Sequence, residues 1–264
     1  LNSHPPSFLP QSPPHRPPFS ATTTTTTTIP KMITETATFE LASPADLSDA
    51  SSPTTSIIQA FLTAILNTKN SGAHAAYFGQ SLEKPDTIIL SIDWDSTEAH
   101  NQFATSRYVI PLPRTSYTRT KNTPPNDNSV YELILSPVKK LMNPTPTTPL
   151  QILHVPPIPH TLFGSQSEGI NIAEIVFFYF PASLTPEATA DITAKMGKLR
   201  SVLERSEAKG VFEGWAEERN VVYTNSKGEE GKCKVWVNVV GWEDVAAHER
   251  VVESEEFEIG RAHV

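Results

Sequence analysis

The chain has a single cysteine, Cys233, among 264 residues. An internal disulfide is therefore excluded, as is any zinc or iron–sulfur centre built on several thiolates, and a reducing compartment such as the cytoplasm is the expected location. Basic residues are also scarce: 21 lysines and arginines stand against 29 aspartates and glutamates, a formal net charge of -8. Affinity for nucleic acid needs clustered cationic side chains, so no such partner is expected. Long apolar runs are missing too. A stretch such as "IVFFYF", Ile175 to Phe180, is far shorter than the about 20 residues that cross a bilayer, so no membrane partner is expected. Glycine-rich phosphate loops, Gly-x-Ser-x-Gly elbows and zinc-type clusters are all absent, which removes the usual evidence for hydride, phosphoryl and acyl chemistry.

Proline, by contrast, is plentiful and unevenly placed. Of 24 prolines, eight fall in residues 1–31 and eleven between Pro111 and Pro159. Residues 1–31 form a proline and threonine tract with almost no periodic apolar positions, read as disordered or as a translated leader ahead of Met32. Residues 111–129 read as a long loop and 159–171 as a linker. The tail at 258–264, "EIGRAHV", resembles a reading frame of a sequencing-library adapter, so the natural chain is expected to continue differently after Phe257.

Between these segments one phrase occurs twice. "DWDSTEAH" runs from Asp93 to His100 and "GWEDVAAH" from Gly241 to His248, each placing tryptophan six positions before histidine. The surroundings repeat as well. "ITETATFEL" alternates as a strand, with Ile33, Glu35, Ala37 and Phe39 on one face. "TTSIIQAFLTAILNTKN" has helical spacing, and "GAHAAYFGQ" with "DTIILSIDW" makes a hairpin before a short helix "STEAHNQFA". "YELILSPVKKLM" and "LQILHVPP" supply a further helix and a fourth strand. The second copy runs "AEIVFFYF", the helix from Thr185, a hairpin of "GVFEGWAEERNVVYT" with "KCKVWVNVVGW", and the helix "EDVAAHERVV". Strand, helix, strand, strand, helix, strand is the ferredoxin-like order. The expectation is an α+β chain with one unit at 32–158 and a second at 172–257 that lacks its fourth strand.

The run "YFGQSLEKPDTIILSIDWDSTEAHNQFATSRY", followed by "ILHVP" and "EIVFFYFP", resembles the fungal antibiotic-biosynthesis-monooxygenase-like (ABM) proteins of the dimeric α/β-barrel superfamily. The likeness covers most of residues 33–257. It implies ferredoxin-like units whose sheets pair to complete burial, here as an internal pseudo-dimer with further self-association open, and a pocket between sheet and helices in each half. It also implies a monooxygenase-like activity on a small aromatic or polyketide-like compound without metal, flavin or other cofactor. The other reading is a non-catalytic ligand-binding or assembly module of the same fold. Heme degradation is a third, requiring a histidine at an opening wide enough for a porphyrin.

Under the enzymatic reading His100 is the base, and His248 holds the equivalent place. A neutral imidazole can take a proton from an acidic phenol or anthrone carbon, giving a carbanion that reduces dioxygen. Under the structural reading each histidine hydrogen-bonds a neighbouring group. Trp94, Tyr77 and Phe103, with Trp242 and Trp215 in the second unit, are the candidate lining for a flat ligand, and core packing is their alternative. Asp93, Asp95 and Glu98 lack the spacing of a metal site and fit the start of a helix, with Asp95 or Ser96 as its cap. His74 points to solvent or an interface. His154 and His160 sit at a proline-rich strand exit with no role assigned, and Cys233 reads as a small buried hydrophobe.

Overall fold

A computed structural model describes residues 32–105, 130–147, 150–164, 166–224, 228, 230–255 and 257. The leader at 1–31, the loop at 111–129 and the tail at 258–264 lie outside the described residues. Strand β1 (Ile33–Glu40) leads into helix α1 (Pro53–Asn67), whose proline sits in the first turn, where a missing N–H costs nothing. Ile58, Phe61, Leu62 and Ile65 recur at helical spacing on its buried face. Strands β2 (Ala73–Gln80) and β3 (Thr87–Trp94), helices α2 (Thr97–Thr105) and α3 (Val130–Lys139), and strand β4 (Gln151–Val155) follow. The four strands form one antiparallel sheet in the order β2-β3-β1-β4.

Two short 3-10 turns, His160–Phe163 and Gln166–Glu168, lead to strand β5 (Ile172–Pro181) and helix α4 (Pro186–Leu203). Strands β6 (Gly210–Trp215), β7 (Val221–Thr224) and β8 (Glu230–Trp242) come next, then helix α5 (Val245–Val252). The second antiparallel sheet is ordered β5-β8-β6, with β7 paired to the start of β8. Among the described residues β5 is therefore an edge strand. Its register on β8 matches that of β1 on β3, for Ile33 faces Trp94 and Ile172 faces Trp242.

Period-two alternation along β8 divides the core. Val235, Val237 and Val239 point one way, against Leu153 and Val155 of β4 and Ile158, Leu162 and Ile170 of the crossover, so the two halves share this layer. Trp236, Val240 and Trp242 point the other way, under Met196, Leu199 and Leu203 of α4 and Val251 of α5. In the first half, Ile58, Phe61 and Ile65 of α1 and Val138 of α3 cover Ile33, Phe39, Ile88 and Leu90. No helix among the described residues is long and apolar enough to cross a membrane.

One expected element is divided. The sequence reads 210–224 as a single strand, but the chain leaves β8 after Trp215 and rejoins it at Val221, so that residues 216–220 face only Lys234 and Val235. The excursion is held by the other half: the Glu217 amide donates to the His154 carbonyl at 2.8 Å. Ladder bonding lost to β8 is replaced in part by this bond to β4.

Gly72, just before β2, has φ +78°, and its carbonyl accepts from the Asp95 amide at 2.8 Å, fixing the start of the turn into α2. A Cβ there would lie 2.9 Å from Ala99 Cβ. Gly72→Ala is expected to destabilise the fold by about 1–3 kcal/mol, since it combines a left-handed backbone with a clash. Equilibrium urea unfolding checks this, and an unchanged midpoint would refute it.

Candidate functional site

The site grows from the corner where β3 passes into α2. Ser96 accepts from the Ala99 amide at 3.2 Å and caps the helix, as its place in the sequence implied, and this sets His100 on the first turn against Trp94. The two rings lie 4.9 Å apart, and Phe103, one turn further along α2, packs 5.5 Å from Trp94. Trp94 is fully enclosed and its indole N–H donates to Glu35 Oε2 at 2.8 Å. Glu35 stands on β1, two residues after the Ile33 that faces Trp94, so strand alternation brings its carboxylate to the same side as the indole.

His100 Nε2 lies 3.5 Å from the same Glu35 oxygen, while His100 Nδ1 is 2.7 Å from His154 Nε2. His154 comes from β4, directly across the ladder from Glu35. Its Nδ1 lies 2.5 Å from Glu218 Oε1, and its amide donates to Glu218 Oε2 at 3.0 Å. A chain of polar groups thus runs Trp94, Glu35, His100, His154, Glu218, with the last member contributed by the excursion between β6 and β7. Glu35, His100 and His154 are each 6% exposed or less, and each offers one ligand atom within 4.8 Å of the others, a grouping able to hold a metal ion.

Burial sets the proton positions. It pushes the Glu35 carboxyl up to about 6, against the partial opposition of His154 and of the Trp94 hydrogen bond. It pushes His100 down to about 4, with the neighbouring His154 acting in the same direction. Burial also opposes a charge on His154, but the Glu218 carboxylate outweighs it and the imidazole is raised. Glu218 shows the converse: burial is outweighed by the His154 hydrogen bonds and the carboxyl is lowered.

The second corner has the same three residues. Trp242 Nε1 donates to Glu174 Oε2 at 3.0 Å, and His248 Nε2 lies 3.4 Å from Glu174 Oε1. Here the histidine and glutamate side chains are about a third exposed, at 35% and 33%. The difference is the neighbouring strand, since β4 covers Glu35 in the first half and no described strand covers Glu174.

The remaining sequence candidates are dispersed. Tyr77 stacks on Phe163 at 5.2 Å, and Trp215 donates to Thr193 Oγ1 at 2.9 Å while packing edge-on against Trp236. Phe103 and Trp242, placed at the two corners above, are at the same time core residues. Asp93 accepts from Thr34 at 2.6 Å, and exposed His74 pairs with Asp95 at 2.7 Å. The sequence reading did not assemble Glu35, His154 and Glu218. Glu35 did leave a signal, because Ile33-Thr34-Glu35 and Ile172-Ala173-Glu174 open the two first strands alike.

Of two grooves, the smaller, about 360 Å³, lies where the end of α4 meets the start of β6 and the turn from Pro159 to Leu162. The more spacious, about 860 Å³, runs between β4 and the β5–β7–β8 surface and is lined by Gln151, Tyr179, Glu218, Val221, Tyr223 and Glu230 among others. Tyr179 and Tyr223 stack there at 4.2 Å, and Tyr179 donates to Gln151 across the halves at 2.8 Å. Glu218 therefore belongs both to the groove wall and to the buried chain.

No protein-family model and no curated protein matches the sequence. Solved structures match in shape. An anthrone oxidase-like protein is 12% identical over 88% of this chain and 84% of its own, with a TM-score of 0.51. A candidate monooxygenase from Lactobacillus acidophilus is 9% identical over 88% of this chain and 87% of its own, at a TM-score of 0.45. A candidate antibiotic biosynthesis monooxygenase from Bordetella bronchiseptica is 16% identical, covering 49% of this chain and 99% of its own, at 0.29. The structural neighbours include both monooxygenase-like proteins and chlorite dismutases, and at these identities what the first of those named shares with this chain is the α+β fold.

The opposite shifts of Glu35 and His100 have a measurable consequence. Glu35, usually 4.5, is raised to about 6, so folding takes up a proton and this share of stability is lost as pH rises from about 4.5 through 6. His100, usually 6.5, is lowered to about 4, so folding releases a proton and this share is lost as pH falls from 6.5 towards 4. The slopes oppose each other over the shared window. Glu35→Gln removes the first and keeps an acceptor for Trp94. In EDTA, the variant is expected to lose stability more steeply than the parent as pH falls from 6.5 to 4, measured by urea unfolding at fixed pH steps; parallel curves would contradict the assignment.

Proposed function

We propose that the chain is a monooxygenase-like protein that takes a small aromatic or polyketide-like compound into the groove ending at Glu218. Two ferredoxin-like units, paired through the layer that β4 shares with β8, are the architecture behind this reading, and the matching registers at Trp94 and Trp242 support it. The observation that carries it is the groove itself: stacked tyrosines on one wall suit a flat ring, and a carboxylate backed by two histidines stands at its edge. His100 is closed to the groove and meets it through His154 and Glu218.

In this scheme Glu218 accepts a proton from an acidic ring carbon or phenol, and the resulting carbanion is oxidised by dioxygen. A methylene becomes a carbonyl, with one oxygen atom retained in the product and the other leaving as water. A non-catalytic binding module is the second reading, favoured by the engagement of both His100 ring nitrogens.

Oxygen uptake by the full chain against anthrones and hydroxyquinol-type phenols tests the proposal. Glu218→Gln is expected to lower uptake at least tenfold with folding retained. His100→Ala and His248→Ala, run in parallel, assign the acting half. Quenching of groove tyrosine fluorescence without uptake supports the binding module, and neither quenching nor uptake overturns both readings for this class of compound.

A further inference from the structure

We infer that Glu35, His100 and His154 form a binding site for one divalent first-row transition metal ion. The inference does not depend on the monooxygenase reading. Two imidazoles and one carboxylate are a donor set that such ions take, and three separate elements, β1, α2 and β4, deliver them to one point. Ligands about 2.0–2.1 Å from a tetrahedral ion stand roughly 3.3 Å apart. One ligand atom from each of the three lies within 4.8 Å of the others, so the donors must draw together to reach that spacing, and His100, which meets His154 through Nδ1 and Glu35 through Nε2, gives the ion one of these nitrogens and releases the other contact.

The surrounding groups supply an independent observation. A metal-binding histidine ordinarily gives its other ring N–H to a carboxylate, which fixes the tautomer and raises ligand basicity. His154 has that arrangement: Glu218 holds Nδ1, and Nε2 is turned inward towards His100. The carboxylate ligand is held as well, by the Trp94 indole at 2.8 Å. His100 and Glu35 are then the two members whose positions are already set by the Trp94 corner. In the second half, Glu174 and His248 repeat those two ligands but no third joins them among the described residues, so one site per chain is expected.

Direct titration tests this. The full chain, free of any polyhistidine tag and dialysed against EDTA, is titrated with Co²⁺ and followed by visible absorption, with Zn²⁺ calorimetry beside it. The expected result is one ion per chain, with d–d bands of nitrogen and oxygen coordination at low coordination number. Glu35→Gln and His154→Gln should abolish stoichiometric binding, and Glu218→Gln should weaken it by about 10–100-fold. His74→Ala, which removes the exposed His74–Asp95 pair, should leave it unchanged. Sub-stoichiometric uptake by the unaltered chain, equal affinity in His154→Gln, or loss of binding in His74→Ala would each overturn the site, and the first needs no variant to fold.

Discussion

Glu35 carries a carboxylate into a place that is 4% exposed, and much of the first half is arranged around that group. A buried carboxylate without partners costs several kcal/mol, so it must be met by donors or hold a proton. The Trp94 indole meets one oxygen, and the strand register that places Ile33 opposite Trp94 makes this contact available. His100 approaches from α2, whose start is fixed by Ser96 and by the Gly72 turn. His154 stands across the ladder and needs an acceptor of its own, which the second half provides as Glu218. The contact between halves is thus partly apolar, through β4 and β8, and partly the continuation of one buried charge network.

The two corners show how far a local phrase determines its environment. Tryptophan, glutamate and histidine meet in both, with indole to carboxylate distances of 2.8 and 3.0 Å. One trio is sealed and carries displaced proton affinities, while the other is open to solvent. Sequence spacing fixes the trio; the strand alongside fixes its dielectric surroundings. A histidine at the same place in the same motif is therefore a different chemical object in the two halves.

Periodicity was enough to read most elements. The apolar spacing of α1, the alternation of β1 and β8 and the Ser96 cap are local properties, and the structure has them where the residues imply. The repeated tryptophan and histidine marked the two corners at which a glutamate joins them. His154 gave no such signal, because its importance comes from a ladder partner more than a hundred residues earlier and an acceptor 64 residues later. Glu218 follows Glu217 in a stretch that reads as one strand of a hairpin. Only the break at 216–220, which exchanges ladder bonds for bonds to the other half, reveals why it faces inward.

That break makes the β6–β7 segment an interlock. A continuous strand would have left Glu217 and Glu218 within their own sheet, and the halves would adhere mainly through apolar area, which tolerates sliding, with the Tyr179–Gln151 bond beside it. With the excursion, sliding the halves by even one residue would strip His154 of its acceptor at both the ring and the backbone amide. The docking of the two halves is therefore indexed as well as tight, and its register is read out at a buried histidine.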